Sequence, residues 1–356
     1  MERLYVDFHV IQTVPPSCVN RDDVGSPKTS VYGGVTRARV SSQSWKHSMR
    51  IMFNDIFPVE AVGKRTKELV KLVADAIMAE EDMEREDAEK KAAEALNLAA
   101  GIKVKDNKNE ALFFISEAQV KALAHAELNQ LDDKKENKKA MKKAIEDAPS
   151  YDMALFGRMV AADPSLNYDA CSQVAHAIST HEVHTEYDYF TAVDDCSTED
   201  NAGAGHLGTM EFNSETLYRY ANVNVAELFK LLGSDTSKVV RGFAEAFVKS
   251  MPDGKQNSYA NRTLPDMVYV IIRNDQPINL SGAFEKPVRA GKDGYVSGSE
   301  DALISYEKSV TDMYGDKPLK AFVAGYKGSL ETEAEAMSFP AILDSIEKFI
   351  KDNISE

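Results

Sequence analysis

Lys28, Arg37, Arg39, Lys46 and Arg50 share residues 24–54 with no aspartate or glutamate. Spread evenly, the chain's 57 acids in 356 residues would place about five there. Within the stretch, Ser41-Ser42-Gln43-Ser44 follows a β-like run and opens a helical pattern. Hydroxyls, first-turn amides without an intrahelical acceptor and the positive end of a helix dipole then meet the cations. This combination holds phosphate. At helical spacing Trp45, Met49, Met52 and Ile56 fall on one face, and Gln43, Lys46, His47 and Arg50 on another. A capped helix with a solvated basic side is the plain alternative. The missing carboxylates and the flanking Arg37 and Arg39 favour a nucleic-acid backbone site.

Other chemistry is thinner. Asp22 and Asp23 stand ready either to hold a divalent metal for RNA cleavage or to make turn hydrogen bonds beside Arg21. His176, His181, His184 and His206 cluster in sequence, but HEVH is not HExxH, and its two imidazoles would face opposite sides of a strand. Gly254-Lys255 lacks the spacing and the Ser/Thr of a phosphate loop, and Gly33-Gly34 lacks a GxGxxG context. No Ser/His/Asp or Cys/His set is spaced for catalysis, so no catalytic residue, metal or cofactor is expected. In the polar loop 254–265, Lys255, Gln256 and Asn257 offer donors to phosphates, to a neighbouring subunit or to a plain turn. Lys134, Lys135, Lys138, Lys139, Lys142 and Lys143 spread over about half a helix circumference, as a solvated face or as a duplex contact.

These groups need positioning. With 43% hydrophobic residues the chain can bury a sizeable core as one large domain or two. A net charge of −15 repels phosphates on average, so any nucleic-acid site is local. Eight carboxylates within residues 80–94 keep much of the acid away from the basic stretch. No 18-residue apolar run and no signal-peptide pattern occur, which predicts a cytoplasmic protein with no membrane partner. Cys18, Cys171 and Cys196 are far apart and suggest neither zinc nor disulfides.

Alternation at residues 4–10 predicts a half-buried strand with His9 on its polar face. Residues 64–150 read as a charged helical insertion. Residues 168–195 and 209–224 read as a hairpin with its tip near 197–205, carrying Tyr187, Tyr189 and Phe190. A helix at 237–251, a strand at 267–272 and helices at 299–313 and 339–350 follow. The fold class is α+β, in the β-α-β-β-α-β order of ferredoxin-like, RRM-like folds.

The stretches PPSCVNRDD, VYGGVTRARVSSQSWKHSMR, ALFGRMVAADP, QVAHAISTHEV, EYDYFTAVDD, AGAGHLGTMEFNSETLYRYANVN and GKQNSYANRTLPD, in that order, resemble the CasC family, the backbone subunit of the type I-E CRISPR Cascade complex. The resemblance runs from about residue 15 to 266 and implies a right-hand shape. Its palm would be ferredoxin-like (1–60 and 165–330), with a helical fingers insertion (61–164), a thumb hairpin (186–215) and a C-terminal helix (331–356). It implies noncatalytic copies stacked head to tail along the crRNA, each thumb kinking the guide so that short runs of bases pair with target DNA in antiviral defence. The implied partners are crRNA, target DNA, further copies, the large and small subunits, the 5′-end cap subunit and the crRNA endonuclease. Ser41, Ser42, Gln43, Ser44, Lys46, His47 and Arg50 match the guide-phosphate site, with Arg21, Arg37 and Arg39 as supports; His47 replaces the family's usual basic residue. Phe190, Thr191 and Val193 match the thumb wedge, and the lysine run matches a fingers helix facing target DNA. The competing reading is a metal-dependent RNA endonuclease that uses Asp22 or Asp23.

Overall fold

The computed structural model describes residues 3–161, 163–193 and 203–354. In chain order the strands and helices begin with β1 (Tyr5–Ser17), β2 (Thr29–Tyr32), β3 (Val35–Val40), α1 (Ser42–Ile56), β4 (Lys64–Thr66), α2 (Leu69–Glu80) and α3 (Arg85–Ala100). Next come β5 (Val104–Lys105), β6 (Lys108–Asn109), β7 (Phe113–Ile115), α4 (Glu117–Leu128), α5 (Lys134–Glu146), α6 (Tyr151–Phe156), β8 (Ser172–Val174), β9 (Ala177–Ser179) and β10 (Glu186–Val193). The chain closes with β11 (Gly203–Asn224), α7 (Val225–Leu232), α8 (Thr236–Lys249), α9 (Gln256–Tyr259), β12 (Met267–Arg273), α10 (Val296–Tyr314), β13 (Lys320–Ala324), β14 (Glu335–Ala336) and α11 (Phe339–Asn353).

Two compact units share these elements. The first comprises Met1–Met49, Val174–Asn222 and Phe243–Phe349. Its framework is a mixed sheet in the order β14-β13-β12-β1-β11-β9-β3-β2, with β8 and β10 paired to β11 off that path. β1 runs antiparallel to β12, from Tyr5 opposite Arg273 to Ile11 opposite Met267. Both faces are covered. Phe8 packs on Phe243 and Phe247, while Ile11, Tyr218, Tyr269, Leu280, Phe284 and Leu303 form a core cluster.

That double cover corrects the expectation of a half-buried first strand. Asp7 and His9 are as inaccessible as Phe8, because a strand inside a sheet covered on both sides has no solvent face. The Asp7 oxygens and His9 Nδ1 are met internally, while His9 Nε2 is buried without a hydrogen-bond partner. The Tyr220 hydroxyl donates to Asp7 at 2.9 Å, the Ile278 amide donates to Asp7 at 3.1 Å, and His9 Nδ1 lies 2.9 Å from the Tyr218 hydroxyl.

The second unit comprises Arg50–Gln173, Val223–Gly242 and Ile350–Glu356. Its core joins α2, α3, α4 and α5 through Leu69, Val73, Ile77, Leu96, Leu123, Met141 and Ile145. Local sequence sets the helix limits. Ser116 and Gln119 form a capping box on α4, Asp133 accepts the amides of Lys135 and Glu136 at the start of α5, and Gly101 ends α3 in the left-handed region. Arg158 is buried among the carbonyls of Ile145 and Leu166 and the Gln119 side chain, and burial holds its pKa down at about 10.

Candidate nucleic-acid interface

The basic stretch is built as a hairpin running into a helix. Gly33 and Gly34, at φ +60° and +81°, make the two-residue turn between β2 and β3, a conformation that favours glycine. The loop before β2 folds back on the helix start. Asn20 accepts the Lys28 amide through its backbone and the Ser41 amide through its side chain, the latter at 2.9 Å. Ser41 Oγ accepts the Ser44 amide at 3.3 Å and so caps α1. First-turn amides of such a helix have no intrahelical acceptor, which leaves those of Ser42 and Gln43 for an anion or solvent.

On α1 the buried stripe is Trp45, Met49 and Phe53, while Met52 and Ile56 are half-buried. Gln43 and His47 are exposed, and Ser42, Ser44 and Lys46 are half-buried around them. Trp45 is held by Arg219, whose guanidinium carbon lies 3.7 Å from the ring centroid. Arg219 also donates to Gln12 and to the Phe247 carbonyl, and burial holds its pKa down at about 9.

Two arginines of the stretch do other work. Arg37 is fully buried and donates to the carbonyls of Tyr32, Ser179 and Phe284, so it builds the sheet edge and does not present itself to a ligand. Arg50 forms a 2.8 Å ion pair with the buried Asp152 and donates to the Gly63 carbonyl, inside the second unit. The period-3.6 pattern places Arg50 on the polar face correctly, but a buried carboxylate a hundred residues away claims it. Arg39 stays half-exposed, with Nη1 3.3 Å from His176 Nδ1.

Arg21 is exposed at the start of the loop, and both it and Lys255 bear electrostatically on the buried Cys18 thiol. Burial is the larger influence and pushes that thiol up. The 254–260 segment docks closely, since a side chain at Gly254 would overlap the Val19 carbonyl. Lys255 itself adopts φ +54°; Lys255 and Gln256 are half-buried, and Asn257 is exposed. Tyr259, in the same turn, contacts Phe212 at the base of the β10–β11 hairpin, with ring centroids 6.0 Å apart.

β10 and β11 pair from Glu186 opposite Phe212 to Thr191 opposite Leu207, with an irregularity before Val193 opposite Gly203. Tyr187, Tyr189 and Leu207 are widely exposed on one face of this ribbon. On the other, Phe190 lies over Gly208, where a Cβ would overlap its ring. Thr191 is exposed. The Val193 side chain, residues 197–202 of the expected tip at 197–205 and the side chains of 203–205 lie outside the described residues.

In the second unit, α5 turns Asn137, Met141 and Ile145 inward. Lys134, Lys135, Lys138, Lys139 and Lys143 are exposed, while Lys142 is half-buried and paired with Asp163 at 2.8 Å. That pair holds the Asp163 carboxyl down at about 2.

Asp22 is engaged in a turn, its Oδ1 accepting the Val24 and Ser26 amides at 3.0 and 2.9 Å. Among the described residues no three His, Cys, Asp or Glu side chains come together as a metal site. His181 is buried, stacked on Tyr295 at 3.8 Å, and accepts the Thr216 amide, so it is a packing residue. His184 is exposed. No helix among the described residues is long and apolar enough to cross a membrane. Sequence reasoning did not single out Asn20 or His176 for this site. Asn20 carries a weak turn signal, and His176 sits at a strand start whose partner only the fold reveals.

A mixed sheet flanked by helices, a cationic sheet edge and a lysine-faced helix are features of a recognisable class. A chain of a solved structure described as "CRISPR RNA-guided surveillance complex, pre-nicking" is 33% identical, with a TM-score of 0.78 over 97% of this chain and 100% of that one. A chain of another, "CRISPR RNA-guided surveillance complex", is 30% identical, with a TM-score of 0.64 over 97% and 99%. No curated protein matches. The model of the CT1975-like protein family, Cas_CT1975, matches residues 6–351, and the chain belongs to that family.

Proposed function

We propose that this protein is the noncatalytic, guide-RNA-binding backbone subunit of a type I-E Cascade complex in the cytoplasm. Copies polymerise head to tail along the crRNA spacer, hold its phosphates at the start of α1, and leave bases free to pair with target DNA. The observation that carries this reading is the acid-free helix start pinned by Asn20 and flanked by Arg39 and Lys28. Near full-length likeness to chains of RNA-guided surveillance complexes supports it. The order β12-β1-β11-β9, with α1 and α8 in the chain positions of the two crossovers, supports a ferredoxin-like palm. The exposed Phe190 and Thr191 of the β10–β11 ribbon suit a thumb that wedges against a displaced base. A contact that does not close on itself grows a helical filament, as a scaffold along RNA requires. Specificity then rests with base pairing, the protein reading only backbone.

The test is purification of the full chain with its co-expressed Cascade partners and a crRNA, followed by extraction of bound RNA. The reading predicts full-length guide, lost when Lys46 and Arg39 are both changed to Ala. Regular cuts in complementary RNA that need Mg²⁺ and vanish on Asp22→Ala would replace it with a nuclease.

A further inference from the structure

We propose that His176, with Arg39 and Lys28, seats one phosphate of the bound RNA and takes up a proton in doing so. The inference rests on the RNA-binding reading above.

The geometry begins in the sheet. β3 and β9 pair with Arg39 opposite Ile178 and Val40 opposite Ala177. Continued by one residue, that register brings His176 level with Ser41, at the helix start. Arg39 Nη1 lies 3.3 Å from His176 Nδ1, and a guanidinium only donates. Nδ1 is therefore the acceptor, and the proton of the neutral ring sits on Nε2, the outer nitrogen of an exposed residue. Arg39 spends its Nε on the Thr29 carbonyl at 3.3 Å.

The charged groups acting on His176 are Arg39, on β3, and Lys28, ahead of β2; among the described residues no carboxylate forms an ion pair with any of the three. Burial, and then those two positive charges, hold the His176 pKa below its ordinary value. Two cations and an imidazole without a counter-charge are an arrangement that an external anion relieves. A phosphodiester supplies one charge and two acceptor oxygens, enough for Arg39, Lys28 and a protonated imidazole. Its arrival lets Arg39 Nη1 turn from Nδ1 to a phosphate oxygen, so that Nδ1 takes the proton and donates to the phosphate in its place; RNA binding and proton uptake are thereby linked.

The experiment measures binding of a single-stranded RNA oligonucleotide to the full chain between about pH 8 and pH 5.5. Wild type should tighten as pH falls, by up to about tenfold for each pKa unit the phosphate restores. His176→Gln should bind with a markedly shallower pH profile than wild type across that range, and Lys28→Gln should weaken binding at every pH. Calorimetry in buffers of different ionisation enthalpy should show proton uptake by wild type and a clearly smaller uptake by His176→Gln. Parallel pH profiles for wild type and His176→Gln would overturn the seat while leaving RNA binding intact. Absence of RNA binding at any pH would remove both readings. If pH and His176→Gln alter self-association without RNA while RNA affinity stays unchanged, the seat belongs to an acidic side chain of a second copy and the proposal falls.

Discussion

The Asn20 side-chain oxygen accepts the Ser41 amide at 2.9 Å, tying the loop after β1 to the residue that caps α1. One neutral hydrogen bond thus sets where the basic loop stands relative to the helix start. Asn20→Ala should cost about 1 kcal/mol in urea denaturation. It should also weaken RNA binding without changing the slope of log Kd against log salt, because no charge is lost. A reduced slope would mean that Asn20 acts through the cations themselves.

Lys46 and Arg50 lie one helical turn apart and should behave oppositely. Arg50→Ala strands Asp152, which is fully buried, and should destabilise the protein by about 3 kcal/mol or more. The Gly63 amide and the Ser150 hydroxyl, at 2.8 and 2.7 Å from Asp152, keep the cost from rising further. Lys46→Ala should move the urea midpoint less than Arg50→Ala does and lower RNA affinity, with the salt slope falling by about one. Equal midpoints for the two variants would contradict this division of labour.

The same contrast shows what the sequence could carry. Local signals sufficed for the helix start at Ser41 and the hairpin of β10 and β11, since each rests on a few adjacent residues. Roles decided by distant partners stayed hidden. Arg37 and Arg39 lie two residues apart on one strand, yet only the fold shows Arg37 held by carbonyls from residues 179 and 284. His9 looked like a surface residue until β11 and β12 closed over β1. The two-unit division, which assigns residues 223–242 and 350–356 to the helical unit, likewise depends on long-range packing.

The pair Asp7 and His9 predicts an offset in acid stability. Burial is the main cause holding the Asp7 carboxyl up at about 7 and the His9 imidazole down at about 3. From about pH 4 to 7 the folded chain keeps a proton on Asp7 that the unfolded chain has lost, so this group's contribution falls as pH rises. From about pH 3 to 6.5 the unfolded chain holds a proton on His9 that the folded chain lacks, so that contribution rises. Asp7→Asn removes only the falling part. Its urea-derived stability relative to wild type should therefore improve steadily from pH 4 to 7, and a pH-independent difference would refute the assignment.

The lysine face of α5 offers a separable test. Lys135, Lys138 and Lys139 are exposed, whereas Lys142 is committed to Asp163. Changing the first three to Glu should weaken duplex DNA binding by the assembled complex and reduce its salt slope by about three, with guide retention unchanged. An unaltered slope would make this a solvated face.

The central claim is that RNA backbone lies on the start of α1. Ultraviolet crosslinking of the purified complex carrying 4-thiouridine-substituted guide, with mass spectrometry of the joined peptides, tests it directly. Crosslinks should concentrate in residues 20–47 and on the β10–β11 ribbon around Phe190. Crosslinks confined to α5 or to α10, with residues 39–47 unlabelled, would contradict the account.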